Sequence, residues 1–309
     1  MTPRPSLLAR PLSRRTALGG LLVSSLGALV GCAGDERPGT GPDPTPIPAS
    51  DPGGVVDGLV ALEERTGRTV GAVLLEGGRR LVAHRPDQVM PTCSVFKSFL
   101  VAALLHDRGD DREYWYDAAI DYDESDVVIN SAVLSERSGP ISPHDLAEAA
   151  LRYSDNTAAN LLLAELGGPA VLTEFTRSLG AAVTRFDRLE PELNAAVPGD
   201  DRDTSTPAEV AMLMHAVLVE RSAGAYTAAR LNTWMLWNET SRITEALRTG
   251  DELTDRTGAG AYGVVNDAGV LYRPGQPPRS FAVMTRTDDE DAENDDAVVL
   301  EAARLLLGS

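Results

Sequence analysis

Strand-like periodicity occurs only toward the two ends of the folding part of this chain, and this limits what it can become. Thr69–Leu75 and Arg80–His84 are extended runs separated by Glu76-Gly77-Gly78, the composition of a hairpin turn. Tyr262–Tyr272 and Ser280–Thr285 are the later runs of the same kind. From Pro91 to about Leu236 the pattern is almost wholly helical, with Ser142-Pro143 as a start signal and Gly167-Gly168 as a stop. The early and late strands must therefore share one antiparallel sheet, with helices at Val55–Thr66 and Asp296–Leu307 packed on it. The helical stretch is then an insertion. This predicts an α+β fold with a sheet lobe from residues 53–90 and 237–309 and an all-helical lobe from residues 91–236.

The chain has 309 residues, of which 43% are hydrophobic and 24% charged, enough for a sizeable core and far from a disordered composition. Residues 1–31 form a leader: Arg14-Arg15, an apolar stretch from Ala17 to Val30, and Leu29-Val30-Gly31-Cys32. The apolar stretch is too short to span a bilayer and reads as a signal sequence. The paired arginines resemble a twin-arginine export signal. The last four residues resemble a lipobox, which implies cleavage before Cys32 and lipid attachment to its sulfur. Residues 32–52, rich in Pro, Gly and Thr, read as a flexible tether. The expected location is outside the cytoplasm, lipid-anchored to the outer face of the cytoplasmic membrane or secreted, with the anchor as the only membrane contact.

The formal net charge is −18. Four of the basic residues, Arg4, Arg10, Arg14 and Arg15, lie in the leader, so the remainder is more acidic still. Such a field repels nucleic acid and anionic lipid. The acidic run Asp288–Asp296 reads as a solvated turn. With Cys32 assigned to lipid, Cys93 is left as a free thiol.

Of the 28 basic residues, Lys97 is the one lysine. Arginine solvates a surface equally well but stays protonated, so a lone lysine suggests a position that needs a neutralisable amine. It sits in Cys93-Ser94-Val95-Phe96-Lys97, followed by the apolar run Phe99–Leu105, and this predicts a helix starting near Ser94. Residues three apart share a helix face, so Ser94 and Lys97 point the same way. A hydroxyl at a helix N-terminus beside an amine can act as a nucleophile without histidine. His84, His106, His144 and His215 fall outside this pattern and lack metal-ligand spacing, so they read as structural or surface residues.

Three further motifs follow in order: Ser154-Asp155-Asn156, Arg188-Leu189-Glu190-Pro191-Glu192-Leu193-Asn194 and Asp255-Arg256-Thr257-Gly258-Ala259-Gly260. Together with Ser94 and Lys97 they resemble the class A serine β-lactamases, from about Gly53 to Leu307. The resemblance implies the serine β-lactamase and transpeptidase type of fold and hydrolysis of the β-lactam amide of penicillin-type antibiotics through an acyl-enzyme. It implies Ser94 as nucleophile, and backbone N–H groups of Ser94 and Ala259 as the oxyanion hole. Ser154 would pass a proton to the leaving nitrogen, and Asn156 would bind the substrate's side-chain amide. Glu190 with Asn194 would activate the deacylating water. Either Lys97 or Glu190 would serve as acylation base. Asp155 is expected to cap the following helix, Arg188 and Asp203 to clamp the Glu190 loop, and Glu190-Pro191 to be cis as in the family.

The pattern is not followed everywhere. Arg256 stands where the family usually carries lysine, and a fixed positive charge there still suits a substrate carboxylate. The arginine usual on the neighbouring strand is replaced by Val265, but Arg242 matches its alternative source in actinobacterial members. Arg256, Arg242, Thr257 and Gly258 are accordingly assigned to substrate binding. Asn130 matches the aromatic residue that walls the family's cleft, and Gly260 matches the position that pairs with a cysteine like Cys93 in some members. No metal or organic cofactor is implied, and a monomer is expected. Two other readings remain: a D,D-peptidase that acylates but deacylates slowly, against which the Glu190 loop argues, and a non-catalytic cell-wall-binding lipoprotein.

Overall fold

The computed structural model describes residues 52–308, so the leader and nearly all of the tether, Cys32 included, lie outside it. Helix α1 (Pro52–Thr66) leads into strands β1 (Thr69–Glu76) and β2 (Arg79–His84). The turn between the strands places Gly77 and Gly78 at φ of 55° and 75°, a conformation open to glycine at little cost. Strand β3 (Met90–Pro91) then opens a long excursion through α2 (Phe96–Arg108), α3 (Pro143–Arg152), α4 (Asn156–Leu166) and α5 (Pro169–Ser178). It continues through β4 (Thr204–Ser205), α6 (Pro207–Met214) and α7 (Ala225–Met235). The chain returns through β5 (Glu252–Ala259), β6 (Val265–Tyr272) and β7 (Arg279–Arg286) to helix α8 (Asp296–Leu307).

The ends of the chain do share one sheet, in the order β2-β1-β7-β6-β5, antiparallel throughout. Alternation along the strands divides the core in two. Val73, Leu75, Ala268, Val270, Ala282 and Met284 face the helical lobe. Val70, Ala72, Leu74, Phe281 and Val283 face α1 and α8. Both faces are covered, which is why these strands read as continuous apolar runs. Helix α2 is buried from Phe96 to Leu105 and forms the axis of the helical lobe.

The start signals act as expected. Ser142 caps α3 by accepting from Asp145 N, Asp155 caps α4 by accepting from Ala158 N, and Gly167 at φ 104° ends α4.

Three expectations need correction. The excursion is not almost wholly helical: β3 and β4 form a two-stranded ribbon, and residues 118–142 hold only short 3₁₀ turns and an isolated bridge. That segment finds its backbone partners on α4, where Asp155 Oδ2 accepts from Val133 N and Leu134 N at 2.9 and 3.0 Å and Thr157 Oγ1 accepts from Val128 N at 2.9 Å. The late strand begins at Val265, because Tyr262 and Gly263 occupy positive φ and make a turn. The polar run Glu252–Ala259 is itself a strand, with one side paired to β6 and the other at the sheet edge facing the helical lobe.

Candidate active site

Ser94 lies in a 3₁₀ turn, Cys93–Val95, that runs into α2. The turn is wedged between α2 and β5 so tightly that a Cβ on Gly258 would sit 2.8 Å from Thr92 O and 3.2 Å from Ser94 N. Cys93 takes φ 45° and Ser154 φ 61°, left-handed values that cost a side-chain-bearing residue of order 1 kcal/mol and that cluster at functional sites. Ser94 and Lys97 face the same way, as their spacing predicts: Lys97 Nζ donates to Ser94 Oγ at 3.0 Å.

Lys97 Nζ is a hub. It also reaches Ser154 O at 2.8 Å, Ser154 Oγ at 3.3 Å, Asn156 Oδ1 at 2.6 Å and Glu190 Oε1 at 3.0 Å. Three ammonium protons cannot serve five acceptors at once, so the amine is poised among alternatives. Its side chain is fully buried. Burial pushes its pKa down to about 8; attraction to Glu190 opposes this and the Arg256 charge adds to it. The amine is therefore neutralisable in the range that the lone-lysine argument requires.

Glu190 is 2% exposed. Ser94 Oγ donates to its Oε1 at 3.3 Å, and Asn194 Nδ2 donates to its Oε2. Its backbone is clamped on both sides by one amide: Glu190 N donates to Asn160 Oδ1, and Asn160 Nδ2 donates to Glu190 O, each at 2.9 Å. Asn160 was not singled out from sequence, although it lies one turn beyond Asn156 on the same face of α4. The Glu190-Pro191 bond is cis. Asp203 closes the loop: it accepts from Arg188 Nε at 2.6 Å and from the backbone N–H of Asp187 and Arg188 at 2.8 and 3.0 Å.

Arg256 is fully buried on β5. Its Nη1 donates to Leu151 O, Asn238 Oδ1 and Thr240 Oγ1 at 3.2, 3.0 and 2.9 Å, while Nε and Nη2 have no acceptor among the described residues. Burial lowers its pKa to about 10, still leaving it a cation at neutral pH. Two open donors on a buried guanidinium suit a planar carboxylate. Thr257 Oγ1 bonds Thr240 Oγ1 at 2.6 Å.

Arg242 donates its Nε–H to Asp296 Oδ1 at 2.6 Å. The acidic run is therefore not all solvated turn, since its last member holds a cation at the site. Asn156 is already doubly engaged, by Lys97 at Oδ1 and through Nδ2 to Ile129 O at 2.9 Å. Asn130 is exposed at φ 62°, and its neighbour Ile129 is 67% exposed. Cys93 is a free, buried thiol, as expected. The histidines lie elsewhere; His84 faces Glu63 at 3.2 Å and His215 bonds Ser280 at 3.0 Å.

The structure thus brings Ser94, Lys97, Ser154, Asn156, Glu190 and Asn194 into one connected network, with Arg256 on the adjoining strand. A hydroxyl bonded to a depressed amine, a carboxylate within reach of both and a buried cation are equipped for acyl transfer to serine. The chain belongs to the β-lactamase enzyme family, whose model matches residues 56–308.

Within that family it is a class A serine β-lactamase, an α+β hydrolase. It is 40% identical over 308 residues to the β-lactamase of Streptomyces fradiae, an alignment covering 96% of each chain. The crystal structure of the β-lactamase from Desulfarculus baarsii superimposes with a TM-score of 0.80 at 36% identity, covering 84% of this chain and 99% of that one. A mutant of the class A β-lactamase of the last common ancestor of Gram-negative bacteria superimposes with a TM-score of 0.77 at 41% identity, covering 82% of this chain and 98% of that one.

Proposed function

We propose that this enzyme opens the lactam of penicillin-type antibiotics through an acyl-enzyme on Ser94 and releases the product with a water activated by Glu190. The observation that carries the reading is the pair of short paths from Ser94 Oγ, 3.0 Å to Lys97 Nζ and 3.3 Å to Glu190 Oε1. Lys97 or Glu190 takes the serine proton as Oγ attacks the carbonyl. The oxyanion forms against the backbone N–H groups of Ser94 and Ala259. Ser154 Oγ, 3.3 Å from Lys97, relays the proton to the departing lactam nitrogen. Arg256, Arg242 and Thr257 take the substrate carboxylate, and Gly258 keeps the strand close to the serine.

Deacylation needs a base that stays near the ester while water attacks. Glu190, held at both its backbone groups by Asn160, meets that need, and the buried Asn194 Oδ1, with no donor among the described residues, is available to orient the water. These residues count against slow-releasing D,D-peptidase activity.

Intact-mass measurement during incubation with benzylpenicillin tests the reading. Wild type is expected to consume the drug without a lasting adduct, while Glu190→Ala accumulates a penicilloyl group on Ser94. A wild type that itself stays acylated would mean a penicillin-binding protein instead. We also propose a monomer exported and anchored by lipid on Cys32, supported by the lipobox-like Leu29-Val30-Gly31-Cys32. Loss of the membrane-bound fraction in Cys32→Ala tests the anchor.

A further inference from the structure

On the face of the sheet turned away from Arg256, two carboxyl groups are buried together. β5 and β6 pair Asp255 with Gly269 and Thr257 with Asp267, which makes Asp255 and Asp267 diagonal neighbours on one face. On the same face Val265, Leu271 and Leu253 pack in the core beneath α1 and α8. Asp255 is 1% exposed and Asp267 is fully buried. Asp255 Oδ1 accepts from Asn238 Nδ2 at 3.0 Å, and Asp267 Oδ2 accepts from Arg242 N at 3.2 Å. Asp267 Oδ1 has no donor among the described residues, Asp255 Oδ2 has none but the nearby Ser241 hydroxyl, and the two carboxyl groups lie within hydrogen-bonding reach of each other. Two ionised carboxylates are acceptors only, so facing each other in so buried a site they would repel, with Asp267 Oδ1 left without a donor. One proton between them satisfies both and removes a buried charge.

We propose that Asp255 and Asp267 share one proton, carried on Asp267, and that this pair positions the segment Asn238–Arg242 and through it the two arginines of the substrate-binding site. Asn238 makes the link. Its Nδ2 is spent on Asp255, while its Oδ1 accepts from Arg256 Nη1 at 3.0 Å and from Thr240 Oγ1 at 2.8 Å. Thr240 in turn bonds Arg256 and Thr257. At the other end of the segment, Asp267 holds the backbone of Arg242, whose side chain is fixed by Asp296.

The charged groups around the pair are Arg256 on β5, Arg242 in the segment and Asp296 at the start of α8, with the Ser241 hydroxyl beside Asp255. Burial raises both carboxyl groups, and the neighbouring Asp255 charge raises Asp267 further, in keeping with the proton residing there. The positioning role rests on Arg242 and Arg256 binding the substrate carboxylate, so its test includes both.

The experiment compares kcat and KM for benzylpenicillin in wild type, Asp267→Asn, Asp267→Ala, Asn238→Ala, Arg242→Ala and Arg256→Ala, with electrophoretic mobility of wild type and Asp267→Asn at pH 7. Asn replaces a neutral acid by a neutral donor, so Asp267→Asn is expected to migrate with wild type. Asp267→Ala is expected to raise KM roughly tenfold while kcat changes by less than about threefold, as Asn238→Ala does, and Asp267→Asn to recover KM to within about twofold. Mobility one charge less negative in Asp267→Asn overturns the shared proton. If both arginine variants raise KM but Asp267→Ala and Asn238→Ala do not, the positioning role falls while the carboxylate assignment stands. If neither arginine variant raises KM, that assignment falls and the positioning role with it, and mobility alone then decides the proton.

Discussion

Lys97 Nζ and Glu190 Oε1 lie 3.0 Å apart with neither side chain exposed to solvent. In so dry a setting the desolvation of the ammonium outweighs its attraction to the carboxylate. The pair is thus held close to the point of giving up a proton.

Acylation is expected to follow that balance. The Lys97 pKa of about 8 lies below the ordinary 10.5, so the neutral amine fraction grows as pH rises through 8. If Lys97 is the base, single-turnover acylation climbs from pH 6 to about 9 and then levels, and Lys97→Arg lowers it by about 10²- to 10⁴-fold with no climb. A profile without that climb removes Lys97 as the base. The sign for stability is the same: between about 8 and 10.5 the unfolded chain keeps a proton the folded chain has lost, so stability rises with pH there. Urea midpoints at both ends of that window check this against Lys97→Met, in which the rise shrinks.

Asp203 takes three hydrogen bonds at the foot of the Glu190 loop while itself buried. Asp203→Ala strands two backbone N–H groups and leaves Arg188 with its longer, 3.5 Å pairing to Asp200. A loss of about 2–3 kcal/mol is expected in urea unfolding. Deacylation is expected to suffer more than acylation, visible as a longer-lived acyl-enzyme by intact mass.

Gly258→Ala would place a Cβ 2.8 Å from the Thr92 carbonyl and 3.1 Å from Cys93 Cβ, against atoms with little room to move. The expected cost is about 1–3 kcal/mol of stability. The 3₁₀ turn must shift, and Ser94 with it, so kcat falls at the same time. A variant as stable and active as wild type would show that the wedge between β5 and Ser94 is slack.

Asp296 holds Arg242 at 2.6 Å but is itself largely solvated, so the pair is worth no more than about 1 kcal/mol. Asp296→Asn is expected to free Arg242 for the substrate and lower KM for penicillins by up to about fivefold, with kcat little changed. An unchanged KM would mean that Arg242 does not meet the substrate.

The expectations drawn from local pattern hold where the interactions are local. Ser94 and Lys97 meet because a helix brings residues three apart together, and Ser142 and Asp155 cap helices because an N-cap acts on the next turn. The strand Glu252–Ala259 was hidden by its polar residues, which are tolerated because Arg256 bonds Leu151 O, Asn238 and Thr240 and Asp255 turns toward a partner on β6. Asn160, Asn238 and Thr240 went unassigned, and Asp296 read only as the end of a solvated turn, because their contacts span 16 to 54 residues along the chain.

The sequence alone determined the family, the α+β division and which side chains were candidates for the site, because these are written in short motifs and in periodicities of two and 3.6 residues. Tertiary structure alone decided what state those side chains are in. That burial lowers the Lys97 pKa, that Arg256 Nε and Nη2 meet no acceptor among the described residues, and that Arg242 is bound to Asp296 all depend on burial and on groups brought together across the fold. Desolvation and Coulomb energy act through space, and spacing along the chain does not encode them.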